Sequence, residues 1–251
     1  VNRGYDAKTL RADGTLARAT ATCGAVVYRG DAYPADYRGN AFVPEPSVNL
    51  IKRLLLTEQD GVIKATDGAK EREFLTSTDE RFRPVQVVNG PDGCLYVVDM
   101  YRGIVQHTAF LTHYLVANIK ARQLEQPINQ GRIWRIVPEG GRKVARTAIP
   151  ADAPGRVKLL AHADGWVRDT VQRLLVEAGD AAVGPALKAL VTDAQAPALG
   201  RLHALWTLDG LGLVDAALIQ AALRDTHPQV RAAAARLAPP DALPALAALT
   251  K

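Results

Sequence analysis

"NGPDGCLYVVDMYRG", residues 89–103, decides how the first half of this chain is read. Asn-Gly and Pro-Asp-Gly form turns. "CLYVVD" is a short apolar run that ends on a carboxylate, and a tyrosine, an arginine and a glycine follow at once. A strand of five residues carries Asp99 about 17 Å away from the turn. Side chains alternate along it, so Leu95, Val97 and Asp99 share one face and Tyr96 and Val98 the other. Asp99 emerges past a face that is apolar below it, with Arg102 placed to reach it across the loop.

The surrounding chain keeps the same grammar to residue 140. "GAVVYRG", "NAFVPEP", "NLIKRLLL" and "GVIKATD" give four turn-bounded strands between Gly24 and Asp67. "RPVQVVNG", "CLYVVDM", "GIVQH" and "GRIWRIV" give four more between Arg83 and Val137, with a helical insertion over Thr108–Leu124 before the last. Short strands with turn signals between them point to an all-β domain. Four-stranded antiparallel units in tandem are the blades of a β-propeller. The expectation is a partial β-propeller of two four-stranded blades, 22–67 and 83–138, with 1–140 as its C-terminal part. A ring needs about four to eight blades, so two cannot close one. The plainer alternative is an open β-sheet domain.

"PEGGRKVARTAIPADAPG" (138–155) has Gly, Pro and charge without an apolar period, and 141–155 is read as a linker. From 156 to 251, Ala and Leu recur at helical spacing. "LLAHADGWVRDTVQRLL" (159–175) aligns with "AALRDTHPQVRAAAARLA" (221–238) at an offset of 63, and Arg201 in "GRLHALWTLDGLG" falls between Arg168 and Arg231. A period near 30 with two helices per unit predicts a HEAT-like α-solenoid. Arg168, Arg201 and Arg231 are then structural, bonding loop carbonyls of the next unit.

Loops on a rigid scaffold carry function. In the blade reading the loops "EPSVN" (Glu45–Asn49) and "DMYRG" (Asp99–Gly103) lie at one end, joined there by the connection 68–83. Both preceding strands end in a carboxylate. Asp99, Arg102, Tyr101, Glu45 and Asn49 are therefore the candidate ligand-binding residues. A carboxylate there could hold Ca²⁺ or hydrogen-bond a polar ligand, and Arg102 could grip a carboxylate or phosphate. The competing reading is that Asp99 and Arg102 cap their own loop. No Ser or Cys nucleophile is placed to use His107 or His113, and Trp134 is expected to pack between blades.

Bulk features bound the function. Net charge is +5, but no block of five Lys/Arg occurs, so nothing points to nucleic acid. No apolar run reaches transmembrane length. Cys23 and Cys94 form neither CxxC nor a zinc spacing, and could be paired or free. No metal site is expected in the chain.

At "FVPEPSVNLIKRL" (42–54), at 74–107 from "FLTSTDERFRPVQVVNG" through "GIVQH", and at "LEQPINQGRIWRIVPEG" (124–140), the chain resembles a known family. It is a family of exported bacterial membrane-bound dehydrogenases with a glucose/sorbosone dehydrogenase-like β-propeller. In such proteins HEAT-like repeats and a CxxCH cytochrome c domain commonly follow. "GRLHALWTLDGL" (200–211) extends the likeness. The resemblance implies a periplasmic or exported protein, redox-linked, acting on a sugar or polyol. It also implies a quinone cofactor (PQQ) or Ca²⁺ in the full-length protein and a cytochrome c domain or protein as partner. This chain has no CxxCH, so haem c would belong to a domain outside it. The relatives' catalytic histidine comes from earlier blades and matches no residue here. The alternative is a non-catalytic module that binds a carbohydrate or a protein.

Overall fold

The computed structural model describes residues 11–12, 15–59, 61–69, 71–105, 107–139 and 145–238. The chain divides into two compact units, Val1–Ala145 and Arg146–Lys251.

The first unit holds two antiparallel sheets. One runs β1 (Val26–Val27), β2 (Ala41–Glu45), β3 (Leu50–Gln59), β4 (Val62–Asp67), with β5 (Leu75–Thr76) paired to the start of β3. The other is a meander of β6 (Pro84–Asn89), β7 (Leu95–Asp99) and β8 (Arg132–Ile136). Helix α1 (His113–Ala121) lies in the β7–β8 connection. The turn "NGPDG" joins β6 to β7 as its residues demand. Asp92 Oδ1 accepts the Cys94 amide at 3.1 Å, and Gly93 takes a φ of 76°. Inward residues Tyr28, Phe42, Ile51, Phe82, Val87, Leu95 and Val97 form the core of this unit.

This architecture corrects the expected propeller with its HEAT-like solenoid. The sheets have five and three strands, and no ring of blades is closed among the described residues. The open-sheet alternative is the one that fits. Two local features accompany this. The described residues of "GIVQH" make no strand; the carbonyls of Arg102 and Gly103 accept instead from the Arg83 guanidinium at 2.9 Å each. A Cβ on Gly103 would lie 2.2 Å from the Leu124 carbonyl oxygen, so the chain is pressed against the end of the helical insertion rather than against a strand. In the first sheet β3 is ten residues long, and its far half pairs only with β4. That hairpin projects, with Val62 and Ile63 58% and 68% exposed.

The second unit contains α2 (Ala153–Leu159), α3 (Gly165–Ala178), α4 (Gly184–Thr192), α5 (Ala198–Gly210), α6 (Ala216–Ala222) and α7 (Pro228–Leu237). Successive helices pack as pairs. The odd helices α3, α5 and α7 touch in one row and the even ones in another. One apolar cluster, from Val157 to Ala234, runs through all six helices. The three arginines do equivalent work. Arg168 Nη1 donates to the carbonyls of His162 and Ala163, Arg231 Nη1 to those of Asp225 and Thr226, and Arg201 Nη1 to that of Ala196. Those carbonyls belong to the loop before each arginine's own helix, not to the next unit's loop. Asp164 and His227, also 63 apart, cap α3 and α7 through the amide two residues on.

Candidate functional site

Glu45 ends β2 and Asp99 ends β7, and both carboxylates point inward at 0% and 1% exposure. Glu45 accepts from the amides of Thr20 and Ala21 at 2.9–3.1 Å and from the Ser47 hydroxyl. Asp99 Oδ1 accepts from the amides of Arg83 and Tyr101, both at 2.8 Å, while Oδ2 accepts the Trp134 indole N–H at 2.9 Å. Hydrogen-bonded this way, each carboxylate ties its own loop to distant segments of the chain. Asn49 does the same. It adopts a left-handed φ of 59°, and its amide donates to the Phe82 carbonyl at 2.6 Å.

The two loops meet through Arg83. Its guanidinium donates to Pro46 O at 2.6 Å and to the carbonyls of Arg102 and Gly103 at 2.9 Å. The side chain is 2% exposed. Burial pulls its pKa down, while Glu80 and Asp99 act the other way and favour the charge. In the sequence Arg83 is simply the last residue of the connection 68–83. No local pattern marks it, because its partners are backbone carbonyls from two distant loops.

Arg102 makes no pair with Asp99 among the described residues; it lends its carbonyl instead. Tyr101 stands at φ 49°, its ring covered by the Arg132 guanidinium 3.6 Å from the centroid. Arg132 also lies 5.6 Å from the Trp134 ring. Trp134 does not pack between blades. It is 45% exposed on β8, the outer strand of its sheet, beside Ile133 at 68% and Val137 at 51%. Tyr101, Arg132 and Trp134 thus form a stacked surface standing over buried Asp99. Neither Arg102 nor Arg132 has a carboxylate partner among the described residues, and both are half-buried.

At the other end of β8, Tyr33, Pro34, Tyr37, Phe74, Ile136, Pro138 and Glu139 line a pocket of about 220 Å³. Tyr33 stacks on Tyr28 at 4.6 Å, and its hydroxyl accepts from Leu95 N and donates to Ile136 O. That hydroxyl is committed to the β7–β8 ladder and is not offered to a ligand. Burial foremost pushes its pKa far up.

Three of the five histidines accept a nearby backbone amide, and two of these, His107 and His227, cap helices. His107 Nδ1 accepts from Ala109 N and His162 Nδ1 from Asp164 N. Cys23 and Cys94 are both free, and burial raises both thiol pKa values, with Glu45 and Asp92 adding to the effect. Among the described residues no three His, Cys, Asp or Glu side chains gather as metal ligands, and no helix is long and apolar enough to cross a membrane.

Residues 2–140 match a family described as a domain of unknown function (DUF7133). No curated protein matches the chain, and no solved structure does.

Proposed function

The chain belongs to the DUF7133 family, whose match spans more than half of it, and we propose that its β unit is a non-catalytic module that binds a protein segment along β8. The observation that carries this is Trp134: a ring 45% exposed whose N–H is fixed by a carboxylate 1% exposed. Trp, Tyr and Arg dominate the energetics of protein interfaces, and a ring held in place loses little freedom on binding. An outer strand also turns half its N–H and C=O groups away from its sheet, ready for an added strand. The positive charges of Arg102 and Arg132, with no carboxylate partner among the described residues, favour an acidic segment. A redox role on a sugar or polyol, which the resemblance implies, would have to draw on groups other than Glu45 and Asp99, since their oxygens are committed inward.

The test is titration of the full chain with a fluorescein-labelled peptide of alternating valine and glutamate, followed by anisotropy. Saturable binding is expected, weakened in Trp134→Ala and Arg132→Gln and absent for a valine–lysine peptide. Equal binding of both peptides, or quenching of Trp134 by sugars alone, would overturn the proposal.

A further inference from the structure

Arg132, Trp134 and Ile136 lie on one face of β8, opposite Asp99, Val97 and Leu95 of β7. Ile136 is the last residue of the strand and also a wall of the pocket of about 220 Å³. The Tyr33 hydroxyl bridges Leu95 N and Ile136 O, so the Ile136 carbonyl faces β7. Backbone groups alternate in direction along a strand, so those of Ile133 and Arg135 turn to the open edge. Pro138 has no N–H to offer, and the edge ends there. A segment paired to β8 therefore runs out over the mouth of the pocket.

The pocket is apolar except at its rim. Tyr33 is its one buried lining residue, stacked on Tyr28 at 4.6 Å, with its hydroxyl taken by the sheet. Tyr37 meets Tyr33 at 68° and Phe74 at 64°, with centroids 5.7 and 6.3 Å apart, so the three rings turn a corner instead of lying flat on one another. Arg53 covers the Tyr37 ring at 3.7 Å, and its charge is answered by Asp36 at 3.0 Å. Pro34 and Glu139 stand exposed at the rim. Glu139 is the one charged lining residue, and it has no cationic partner among the described residues. An apolar cavity of about 150 Å³ takes a benzene ring. This pocket therefore has room for one aromatic side chain, and the only charge it offers is the Glu139 carboxylate.

Resting on the β8 reading above, we propose that this pocket is the anchor subsite of that strand site and seats one aromatic side chain of the bound segment. The charges set the order of the rest. Arg132 at the start of β8 and Glu139 beyond its end carry opposite signs. Antiparallel pairing is the more stable arrangement. It puts the N-terminal side of the partner over Glu139 and its C-terminal side over Arg132. The occupant is thus a segment that reads base, aromatic, apolar, acid at every second position. The aromatic residue enters the pocket, the apolar one lies beside Trp134, and the acid meets Arg132.

The probe is fluorescein-labelled Lys-Thr-Phe-Thr-Val-Thr-Glu amide, titrated with the full chain and followed by anisotropy. Exchanging the peptide's phenylalanine for alanine should raise Kd about tenfold, the low end for burying an aromatic side chain. That comparison leaves the protein, and so its fold, untouched. Glu139→Lys, at the exposed rim, should raise Kd about threefold, and a peptide with glutamate in place of its lysine should recover the loss. The valine–glutamate peptide separates the two claims, because it reaches β8 without an aromatic anchor. If it binds while the phenylalanine and alanine peptides share one Kd, the anchor subsite is overturned and the β8 reading stands. If neither it nor the phenylalanine peptide binds, both are overturned. A Glu139→Lys variant that binds the lysine peptide as tightly as the native chain does would overturn the assigned direction of the segment.

Discussion

Asp99 Oδ2 accepts the indole N–H of Trp134 at 2.9 Å, so a fully buried carboxylate holds a ring that stands half in solvent. Asp99 satisfies three N–H donors with two oxygens. Asparagine offers one oxygen and an NH₂, so in Asp99→Asn at least one donor loses its acceptor. Stability should fall by about 1–3 kcal/mol, the cost of an unsatisfied buried group. Urea denaturation measures that loss. Trp134 should become more mobile at the same time, as read by time-resolved fluorescence anisotropy in a Trp166→Phe, Trp206→Phe background. An unchanged anisotropy decay would mean that packing, not Asp99, fixes the ring.

Two nearby arginines give a controlled comparison. Arg83 and Arg81 both bond backbone carbonyls, but Arg83 is buried and Arg81 donates to Gln123 O and Gln126 O at the surface. A lysine cannot span carbonyls from two loops as the planar guanidinium does. Arg83→Lys should cost about 2–3 kcal/mol and Arg81→Lys well under about 1 kcal/mol. Equal losses in thermal unfolding would show that burial is not what makes Arg83 matter.

Strand positions were legible wherever turn chemistry bounded an alternating run. "NGPDG" and "CLYVVD" became the β6–β7 turn and β7, and the expected first four strands appear at β1 to β4. The architecture was not legible. Pairing order is decided by side chains that seize backbone groups, as Arg83 does with Arg102 and Gly103, and no period in the sequence records that. The same holds for the site. Asp99 and Tyr101 were picked out for lying where a strand ends in charge and aromaticity. Arg132 and Trp134, which complete the stack, sit more than thirty residues later on a strand that only the fold brings alongside β7.

Arg201 and Asp225 form a two-point pair at 2.7 and 2.8 Å, with side chains 6% and 8% exposed. The pair joins the start of α5 to the loop before α7. Hydrogen bonding from Arg201 holds the Asp225 carboxyl below its usual range. A depressed folded pKa means that its contribution is complete above the unfolded value, about 3.9, and is lost as pH falls through the folded one. Asp225→Asn should therefore destabilise at pH 7 by about 3 kcal/mol, because Arg201 is left buried without its partner. It should also flatten the loss of stability between about pH 4 and pH 2. The measurement is the urea midpoint across that range; a parallel downward shift at every pH would argue against the pair as the acid-sensitive element.

The thiols lend themselves to a simple check. Cys94 is fully buried and Cys23 half-buried, and both pKa values are raised, so little thiolate exists at neutral pH. Ellman's reagent at pH 7 should label Cys23 slowly and Cys94 only on unfolding. Fast labelling of Cys94 in the native protein would place it at the surface.

Tyr33 offers the sharpest pH test, because its hydroxyl closes a sheet ladder. The oxygen accepts the Leu95 amide at 2.9 Å and the proton goes to the Ile136 carbonyl at 2.8 Å, so one group joins β7 to β8. The Tyr33 amide in turn donates to the Tyr28 hydroxyl at 2.9 Å, which itself donates to Gly93 O at 2.7 Å. Tyr33→Phe keeps the ring and its stack on Tyr28 but leaves Leu95 N and Ile136 O without these partners. A loss of about 2 kcal/mol at pH 7 is expected, with faster hydrogen exchange at the Leu95 amide. The alkaline limb should move the other way. Burial raises the folded pKa above that of an unfolded tyrosine, about 10. In the native protein that stabilisation is complete below pH 10 and is lost as pH rises, since the unfolded chain ionises first. Tyr33→Phe has no proton to lose at this position. Its stability should therefore fall less steeply between about pH 10 and 12 than that of the native chain, and the two curves should converge. Curves that stay parallel to the alkaline end would show that Tyr33 ionises as freely in the folded protein as in the unfolded one.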